Sequence, residues 1–264
     1  MISFSRIYAM IYRHLISLFR DPIRLADAVY YPFLDIMLFG FLGIWSHGDQ
    51  ANADMFLISL LASISCWYLV YRSALEISRN LLIDIWDDSI ISVLTTPISI
   101  TELSFALMFL GIIQALITFI YTSCLIWLIF SKNIFSLYLI MAPYLPLFLA
   151  FGWIIGLLTA ALIFRFGKSV EFTAWALPWF FSIFSGAFYP TNLFPAWVQN
   201  ATNILPLKFL FRSMRESIKI NASQFISQDY IIALITIIVY LIFTFWFLFF
   251  MVKKARNKGL NNLV

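Results

Sequence analysis

The chain has 264 residues, of which 62% are hydrophobic, 19% are aromatic and only 11% are charged, and its formal net charge is +4. Its mean hydropathy is +0.92. A soluble domain is roughly 45–50% apolar and about 25% charged, so this composition excludes a soluble catalytic domain and predicts an all-α integral membrane protein. The small positive charge follows from the basic loops described below and does not indicate binding to nucleic acid.

The first predicted element is an amphipathic helix within residues 1–24. Its apolar face is formed by Phe4, Tyr8, Ile11, Leu15 and Leu18, and its basic face by Arg6, Arg13 and Arg20. This pattern is typical of a helix that lies on the cytoplasmic surface of a membrane. Asp21 and Pro22 are expected to end it. The segment has no compact apolar core or small-residue cleavage site, so no cleavable signal peptide is predicted. It is either a simple topology anchor or a helix that also contacts a partner or gates the inner mouth.

Six apolar runs predict six transmembrane helices, at roughly residues 29–45, 55–71, 103–130, 137–164, 172–189 and 230–252. Of the 17 lysines and arginines, 12 fall at the two ends of the chain and in the second and fourth loops. Basic residues are enriched in cytoplasmic loops. Both termini are therefore predicted to be cytoplasmic.

The first predicted span contains an acidic residue, Asp35, in the sequence YPFLDIMLFGFLG. A carboxylate in the bilayer is costly and usually faces protein or water. Three interpretations stay open for Asp35. It lines a transport pathway, it makes a polar contact with another span, or it lies at headgroup level because the span starts later.

An acidic segment lies at residues 78–98, between the second and third spans. As a helix, it would place Asn80, Asp84, Asp87 and Asp88 on one side and apolar residues on the other. The anionic inner leaflet would repel such a face. The segment therefore favours a protein partner in the cytoplasm, with a solvated polar face as the alternative.

Glycines mark two features of the fourth span and the loop after it. Gly152 and Gly156 form a small-x-x-x-small pair, which allows another helix to pack closely. Gly167-Lys168-Ser169 resembles the end of a nucleotide-binding P-loop, but the first glycine of that motif would fall at Leu162, within a membrane helix rather than after a strand. The triplet is therefore interpreted as a short cytoplasmic turn.

Prolines interrupt the apolar outer segment at residues 190–229. Pieces this short cannot cross the bilayer, so re-entrant or interfacial helices are predicted, which need cover by protein or an aqueous cavity. Tyr189 and Trp197 suit a membrane interface. Together with Asp35, the candidate pathway or gate residues here are Tyr189, Pro190 and Trp197.

Two of these segments carry a resemblance to the membrane subunits of ABC type-2 exporters, which move polysaccharides, lipids and drugs. The inner pattern is SVLTTPIS at residues 92–99, and the outer patterns are SGAFYP, FPAWVQ and ILPLKFLFRSMRE at residues 185–216. The agreement extends over essentially the whole chain in the order of its predicted elements. The sequence departs from the family pattern where Ile85, Trp86 and Asp87 replace an expected glycine, and where Lys208 replaces a threonine-like residue.

The resemblance implies a permease half without an ATPase of its own, in the cytoplasmic membrane of a bacterium. Two such chains, identical or closely related, would dock on two separate cytoplasmic ATPase subunits that bind ATP, and this chain would bind no cofactor. The segment at 78–98 would be the coupling helix, with Ile85 and Trp86 in the cleft of the partner. The residues assigned to coupling are Asp84, Ile85, Trp86, Asp87 and Asp88.

Other classes of function fit the residues less well. Intramembrane serine proteolysis needs a histidine in the membrane, and His14 and His47 both lie outside the predicted spans. Cys66 and Cys124 lie in spans without a nearby histidine, which indicates neither a metal site nor a disulfide. A secondary transporter or channel is the alternative, although one acid in six spans is little for proton coupling.

Overall fold

The computed structural model describes residues 3–47, 53–221 and 227–257, and these ranges contain helices and turns but no strand. The α-helices, in chain order, are α1 (Phe4–Arg20), α2 (Pro22–His47), α3 (Ala53–Trp86), α4 (Ile90–Thr95), α5 (Ile100–Phe130), α6 (Tyr138–Met141), α7 (Leu145–Phe166), α8 (Thr173–Ser185), α9 (Ala196–Thr202), α10 (Pro206–Ile220) and α11 (Gln228–Arg256). Single 3₁₀ turns lie at Ile134–Leu137, Gly167–Val170 and Thr191–Leu193.

Five of the described helices are long and apolar enough to cross a membrane. They cover Pro22–Ser46, Ala53–Trp86, Ile100–Phe130, Leu145–Val170 and Gln228–Arg256. The multi-pass, all-helical character predicted from composition is therefore supported, with five candidate spans rather than six.

The predicted fifth span, at residues 172–189, accounts for the difference. It forms α8, which has only 13 residues and ends where Gly186 adopts a left-handed conformation with φ of 78°. Glycine commonly ends a helix in this way. At 1.5 Å per residue α8 is about 20 Å long, which is short of the roughly 30 Å hydrocarbon core.

The first and last described residues nevertheless lie at the same end of the bundle. The backbone nitrogen of Ser3 donates to Glu102 at the start of α5. Lys253 and Arg256, at the end of α11, line a cavity with Ser99, which caps α5. We call this end the Trp86 end, because α3 finishes there, and the opposite end the Asp229 end, because α11 starts there. Because α7 finishes at the Trp86 end and α11 starts at the Asp229 end, α8 and the segment after it carry the chain between the two ends in place of a sixth full-length helix.

Helix α3 is the central helix of the bundle. It has 34 residues and is buried along most of its length by α2, α5 and α7. It continues 15 residues beyond the predicted end of the second span at Tyr71. Arg72 and Arg79, which follow the predicted end of that span, therefore lie inside the same helix, and Arg72 is only 1% exposed.

Glycines on the neighbouring helices allow α3 to be approached closely. A Cβ atom on Gly152 of α7 would lie 1.8 Å from Ser73 Oγ and 2.6 Å from the Val70 carbonyl oxygen. A Cβ atom on Gly156 would lie 2.9 Å from the Ala74 carbonyl oxygen. The close packing predicted from this glycine pair is confirmed, and α3 is the helix that uses it.

Helix α1 breaks where the sequence predicts, and its predicted apolar face is divided between the bundle, where Ile11, Leu15 and Leu18 pack, and the surface. The helix ends at Arg20, Asp21 is extended, and its carboxylate accepts hydrogen bonds from the backbone nitrogens of Ile23 and Arg24 at the start of α2. Phe4 and Tyr8, from the predicted apolar face, are 84% and 67% exposed. The side that meets the bundle also includes Arg6 and Arg13, which form ion pairs.

Residues 222–226 of the proline-rich outer segment lie outside the described residues, and the rest of it contains α9 and α10, joined by a short turn. That turn lies beside the middle of α11, where the Tyr240 hydroxyl donates to the Ile204 carbonyl oxygen at 2.8 Å. Two turns further along α10, Arg212 forms an ion pair with Asp229, the second residue of α11. Helix α10 therefore runs antiparallel to α11 and returns the chain to the Asp229 end.

Candidate functional site

The predicted coupling segment at 78–98 is not one helix in the structure. Its first half is the end of α3, which stops at Trp86, and Asp88 then adopts a positive φ of 51° before α4 begins. A non-glycine residue in this conformation marks a turn. The segment therefore forms a corner between a long helix and a short one.

The corner sorts the five predicted coupling residues into two groups. Asp84 and Ile85 are 2% and 0% exposed, and Ile85 packs inside the apolar core at the Trp86 end. Trp86 is 43% exposed, and Asp87 and Asp88 are also exposed. Ile85, which the resemblance assigns to the cleft of a partner, is thus enclosed by this chain. Of the five, those that another protein can reach are residues 86–88, which we call the acidic corner.

The Gly167-Lys168-Ser169 triplet lies next to the acidic corner. It forms a 3₁₀ turn directly after α7, as expected for a turn rather than a P-loop. Lys168 Nζ lies 3.8 Å from Asp88 Oδ1, and Trp86 Nε1 donates to Glu171 Oε2 at 3.1 Å. The turn between α7 and α8 therefore supports the acidic corner from the side.

Asp84 joins α1 to α3 behind the corner. Its carboxylate accepts from Arg13 of α1, and the same arginine donates to Ser89 Oγ at 2.9 Å. His14 is nearby, with Nε2 3.6 Å from Asp84 Oδ2. Burial, together with the charges of Arg13 and Arg24, lowers the pKa of His14 to about 3. His14 is therefore neutral at physiological pH, and Arg13 supplies the positive charge that balances Asp84.

A second group of buried ion pairs joins α2 to α3. Arg24 Nη2 donates to Glu76 Oε2 at 2.7 Å and to Asn80 Oδ1 at 3.0 Å. Asp27 accepts from Arg72 at 3.0 Å and from Arg79 at 2.8 Å. A buried charge is costly unless it is paired in this way. Glu76 and Arg79 are three residues apart on α3, yet each pairs with a residue of α2 rather than with the other.

The spacing of the charged residues in the sequence is consistent with these ion pairs, although hydropathy alone ended the predicted span before them. Arg72, Glu76 and Arg79 are spaced four and three residues apart, which places them on one face of a helix. Arg24 and Asp27 are three apart and begin the neighbouring helix. Two short charged faces of this kind are typical of ion pairs between neighbouring helices. Which residue pairs with which could be assigned only from the fold.

Glu102 holds the beginning of α1. It accepts from the backbone nitrogens of Ser99 and Ser3, each at 2.7 Å, and Arg6 lies 3.3 Å away. The first of these bonds belongs to a capping box at the start of α5. Helix α1 is thereby attached through polar contacts to both α3 and α5.

A cavity of about 660 Å³ opens between α1, α2, α3 and α8 at this end. Asp27 and Arg79 form a charged part of its wall, and Tyr30, Trp86 and Trp175 form an aromatic part. Trp86 thus belongs both to the exposed corner and to a cavity that reaches the buried ion pairs. A protein that contacts Trp86 on the acidic corner therefore contacts a side chain that also lines the cavity.

The four candidate pathway residues do not form one cluster. Asp35 accepts a hydrogen bond from the Tyr68 hydroxyl at 2.6 Å, which makes it a polar contact between α2 and α3. The Tyr189 hydroxyl donates to the Ile183 carbonyl oxygen at 2.9 Å, and Pro190 lines a cavity at the Asp229 end. Trp197 is 76% exposed on α9.

Comparison of the chain with models of known protein families and with curated protein sequences found no match. The functional interpretation therefore depends on the residues and geometry of this chain.

Proposed function

We propose that the chain is the permease half of an ATP-driven exporter that moves a polysaccharide, lipid or drug-like substrate out across the cytoplasmic membrane. The energy comes from a separate ATPase subunit. The observation that carries the proposal is the acidic corner, where the long buried helix α3 ends in an exposed tryptophan and two exposed carboxylates. Charges on a short corner of this kind serve as a docking point for a protein with a complementary cleft.

In this proposal the acidic corner passes movement of the ATPase to the bundle. Trp86 enters the cleft of the partner, and Asp87 and Asp88 supply charges around it. The corner connects through α3 to the pairs of Asp84 with Arg13 and of Glu76 with Arg24. Buried pairs with two discrete arrangements are suited to such coupling.

The proposed assembly contains two permease chains and two ATPase subunits in the inner membrane of a bacterium. The Trp86 end faces the cytoplasm, since the basic residues of α1 and of the end of α11 lie there. The second permease chain is another copy or a close relative. The chain itself holds no nucleotide, because Gly167-Lys168-Ser169 lacks the strand and the first glycine of a P-loop.

The test is to co-express the chain with an ATPase encoded beside it, purify through a tag on this chain alone, and measure ATP hydrolysis in lipid nanodiscs. Trp86→Ala and Asp87→Lys are compared with the wild type. Asp54→Lys is the matched control, because Asp54 is an exposed acid at the opposite end of the bundle. We expect both corner variants to lose most of the co-purified activity and the control to retain it.

Two results would overturn the proposal. One is that no ATPase co-purifies with the wild-type chain. The other is that Trp86→Ala and Asp87→Lys hydrolyse ATP as fast as Asp54→Lys does. Either result would favour a secondary transporter or channel that is not coupled to ATP.

A further inference from the structure

A cavity of about 330 Å³ lies at the Asp229 end, between α10 and residues 186–192. Five charged side chains of α10 line it, and we call it the basic cavity. They are Lys208, Arg212, Arg215, Glu216 and Lys219. Its volume falls at the lower end of the range of small-ligand sites.

The spacing of the basic residues explains why they share one cavity. They follow one another at intervals of four, three and four residues, which places all four on one face of the helix. The opposite face of α10 is apolar, and Leu210, Met214 and Ile218 are buried there against the bundle. Packing of the apolar face fixes the basic face towards the cavity, over a length of about 16 Å.

One of the four cations is neutralised by this chain. Arg212 forms a two-pronged ion pair with the carboxylate of Asp229. Among the described residues, no ion pair is formed by Lys208, Arg215 or Lys219. Counting Glu216 as the remaining acid, the cavity carries a net charge of two positive units.

Lys208 and Arg215 donate hydrogen bonds to neutral oxygens. Lys208 Nζ donates to Asn203 Oδ1 at 2.6 Å and to Thr202 Oγ1 at 3.2 Å. Arg215 donates to Ser63 Oγ at 3.0 Å and to the Ala187 carbonyl oxygen at 2.5 Å.

These contacts position the cations but do not cancel their charge. Burial lowers the pKa of Arg215 to about 10, and burial together with Arg212 also lowers the pKa of Lys208. Like charges held together in a partly enclosed site repel each other, and a bound anion relieves that repulsion.

We propose that the basic cavity binds a phosphate group, carried either by the headgroup of an anionic lipid or by a small phosphorylated solute. Arg215 supplies a guanidinium charge to phosphate oxygens, and the lysines add point charges around it. Lys208 and Lys219 lie at the two ends of the row, with Arg215 between them, so a phosphate in the cavity lies along a row of cations. The site lies at the opposite end from the acidic corner and is independent of ATP coupling.

The test measures binding to the purified full-length chain in neutral detergent by native mass spectrometry. One probe is short-chain phosphatidylglycerol, and the second is glycerol phosphate, which has the phosphate without the acyl chains. Diacylglycerol with the same acyl chains is the phosphate-free control. The main variant is Lys208→Gln/Lys219→Gln, which leaves the contacts of Arg215 to Ser63 and Ala187 intact. Lys132→Gln is the matched control, because Lys132 is a lysine at the same end that pairs with Asp54 outside the cavity.

We expect the double variant to bind phosphatidylglycerol at least tenfold more weakly than the wild type, with Lys132→Gln unchanged. Binding of glycerol phosphate with the same loss would assign the site to a phosphorylated solute, and binding of the lipid alone would assign it to a headgroup. The proposal is overturned if diacylglycerol binds as tightly as phosphatidylglycerol and glycerol phosphate does not bind. It is also overturned if the double variant and Lys132→Gln bind both phosphate probes equally. Neither measurement needs the ATPase, so this result is separate from the test of coupling.

Discussion

Trp86 at the end of α3 and Glu171 before α8 are joined by a hydrogen bond of 3.1 Å from the indole nitrogen to the carboxylate. The two residues are 85 positions apart in the chain. The bond links the acidic corner to the turn after α7, so the corner is held by two separate parts of the backbone.

Replacing Trp86 with Phe is expected to loosen that turn while keeping an aromatic ring in place. A hydrogen bond of this kind contributes about 1 kcal/mol. Amide hydrogen exchange at residues 167–172 should therefore become severalfold faster. Trp246→Phe is the control, since Trp246 is an exposed tryptophan on α11. Equal exchange rates at residues 167–172 in the two variants would show that the bond does not hold the turn.

The pair of Arg24 and Glu76 is expected to be costly to break from one side only. Both side chains are almost fully buried, at 5% and 3% exposure. Glu76→Gln leaves the Arg24 charge without its counter-ion, and we expect a loss of about 3–5 kcal/mol of stability. Arg24→Gln/Glu76→Gln should recover part of it. Denaturation in nanodiscs measures all three.

The exposed pair of Lys132 and Asp54 provides the comparison for that experiment. Asp54 is 86% exposed, so Asp54→Asn should cost less than about 1 kcal/mol. If Glu76→Gln and Asp54→Asn cost the same, the buried pair does not stabilise the contact of α2 with α3.

Gly152→Ala is expected to separate α7 from α3. The new Cβ atom would meet the Val70 carbonyl oxygen at 2.6 Å, and backbone cannot move aside as a side chain can. Overpacking of this kind costs about 1–3 kcal/mol. Gly43→Ala is the control, because its Cβ atom would meet the flexible end of Leu57 at 3.1 Å. Thermal unfolding should show a lower midpoint for Gly152→Ala only, and a midpoint as high as that of Gly43→Ala would contradict the close packing.

The stability of the protein is expected to fall as the pH decreases below 6.5, partly through His14. The folded protein holds the pKa of His14 at about 3, below its ordinary value of 6.5. Between these pH values the unfolded chain binds a proton at His14 that the folded chain does not. The stability associated with neutral His14 is therefore fully present above pH 6.5 and is lost as the pH falls towards 3. At pH 5 the loss is about 2 kcal/mol.

His14→Gln isolates this effect, since glutamine does not titrate. The midpoint of thermal unfolding is measured for both proteins at pH 7.5 and pH 5. The wild type should lose more stability between the two values than His14→Gln does. Parallel losses would mean that His14 is accessible to protons in the folded state.

The sequence predicted those features that depend on local composition or spacing. Long apolar runs located five candidate spans, because hydropathy over some 18 residues reflects the surroundings of a whole helix. The break at Asp21 was also predictable, since proline disfavours a helical residue before it. The glycine pair in α7 indicated a close contact, although not with which helix.

The features that failed depend on partners distant in the chain. Charged residues at 72, 76 and 79 ended the predicted second span early, because Asp27 and Arg24, which neutralise them, lie some 50 positions away. The two faces of α1 were evident from the sequence, but periodicity does not tell which face meets protein. The length of α8 depended on Gly186, whose role became visible only in the backbone conformation.

The uninterrupted course of α3 has a mechanical consequence. The helix contains neither glycine nor proline, the residues at which helices most often bend. At 1.5 Å per residue it is a stiff rod of about 51 Å that reaches from one end of the bundle to the other. A force applied at Trp86 cannot be absorbed by a hinge within α3. It must instead move α3 as a whole relative to the helices packed around it. The close contacts of α3 with Gly152 and Gly156 of α7 are the points about which such a movement would turn.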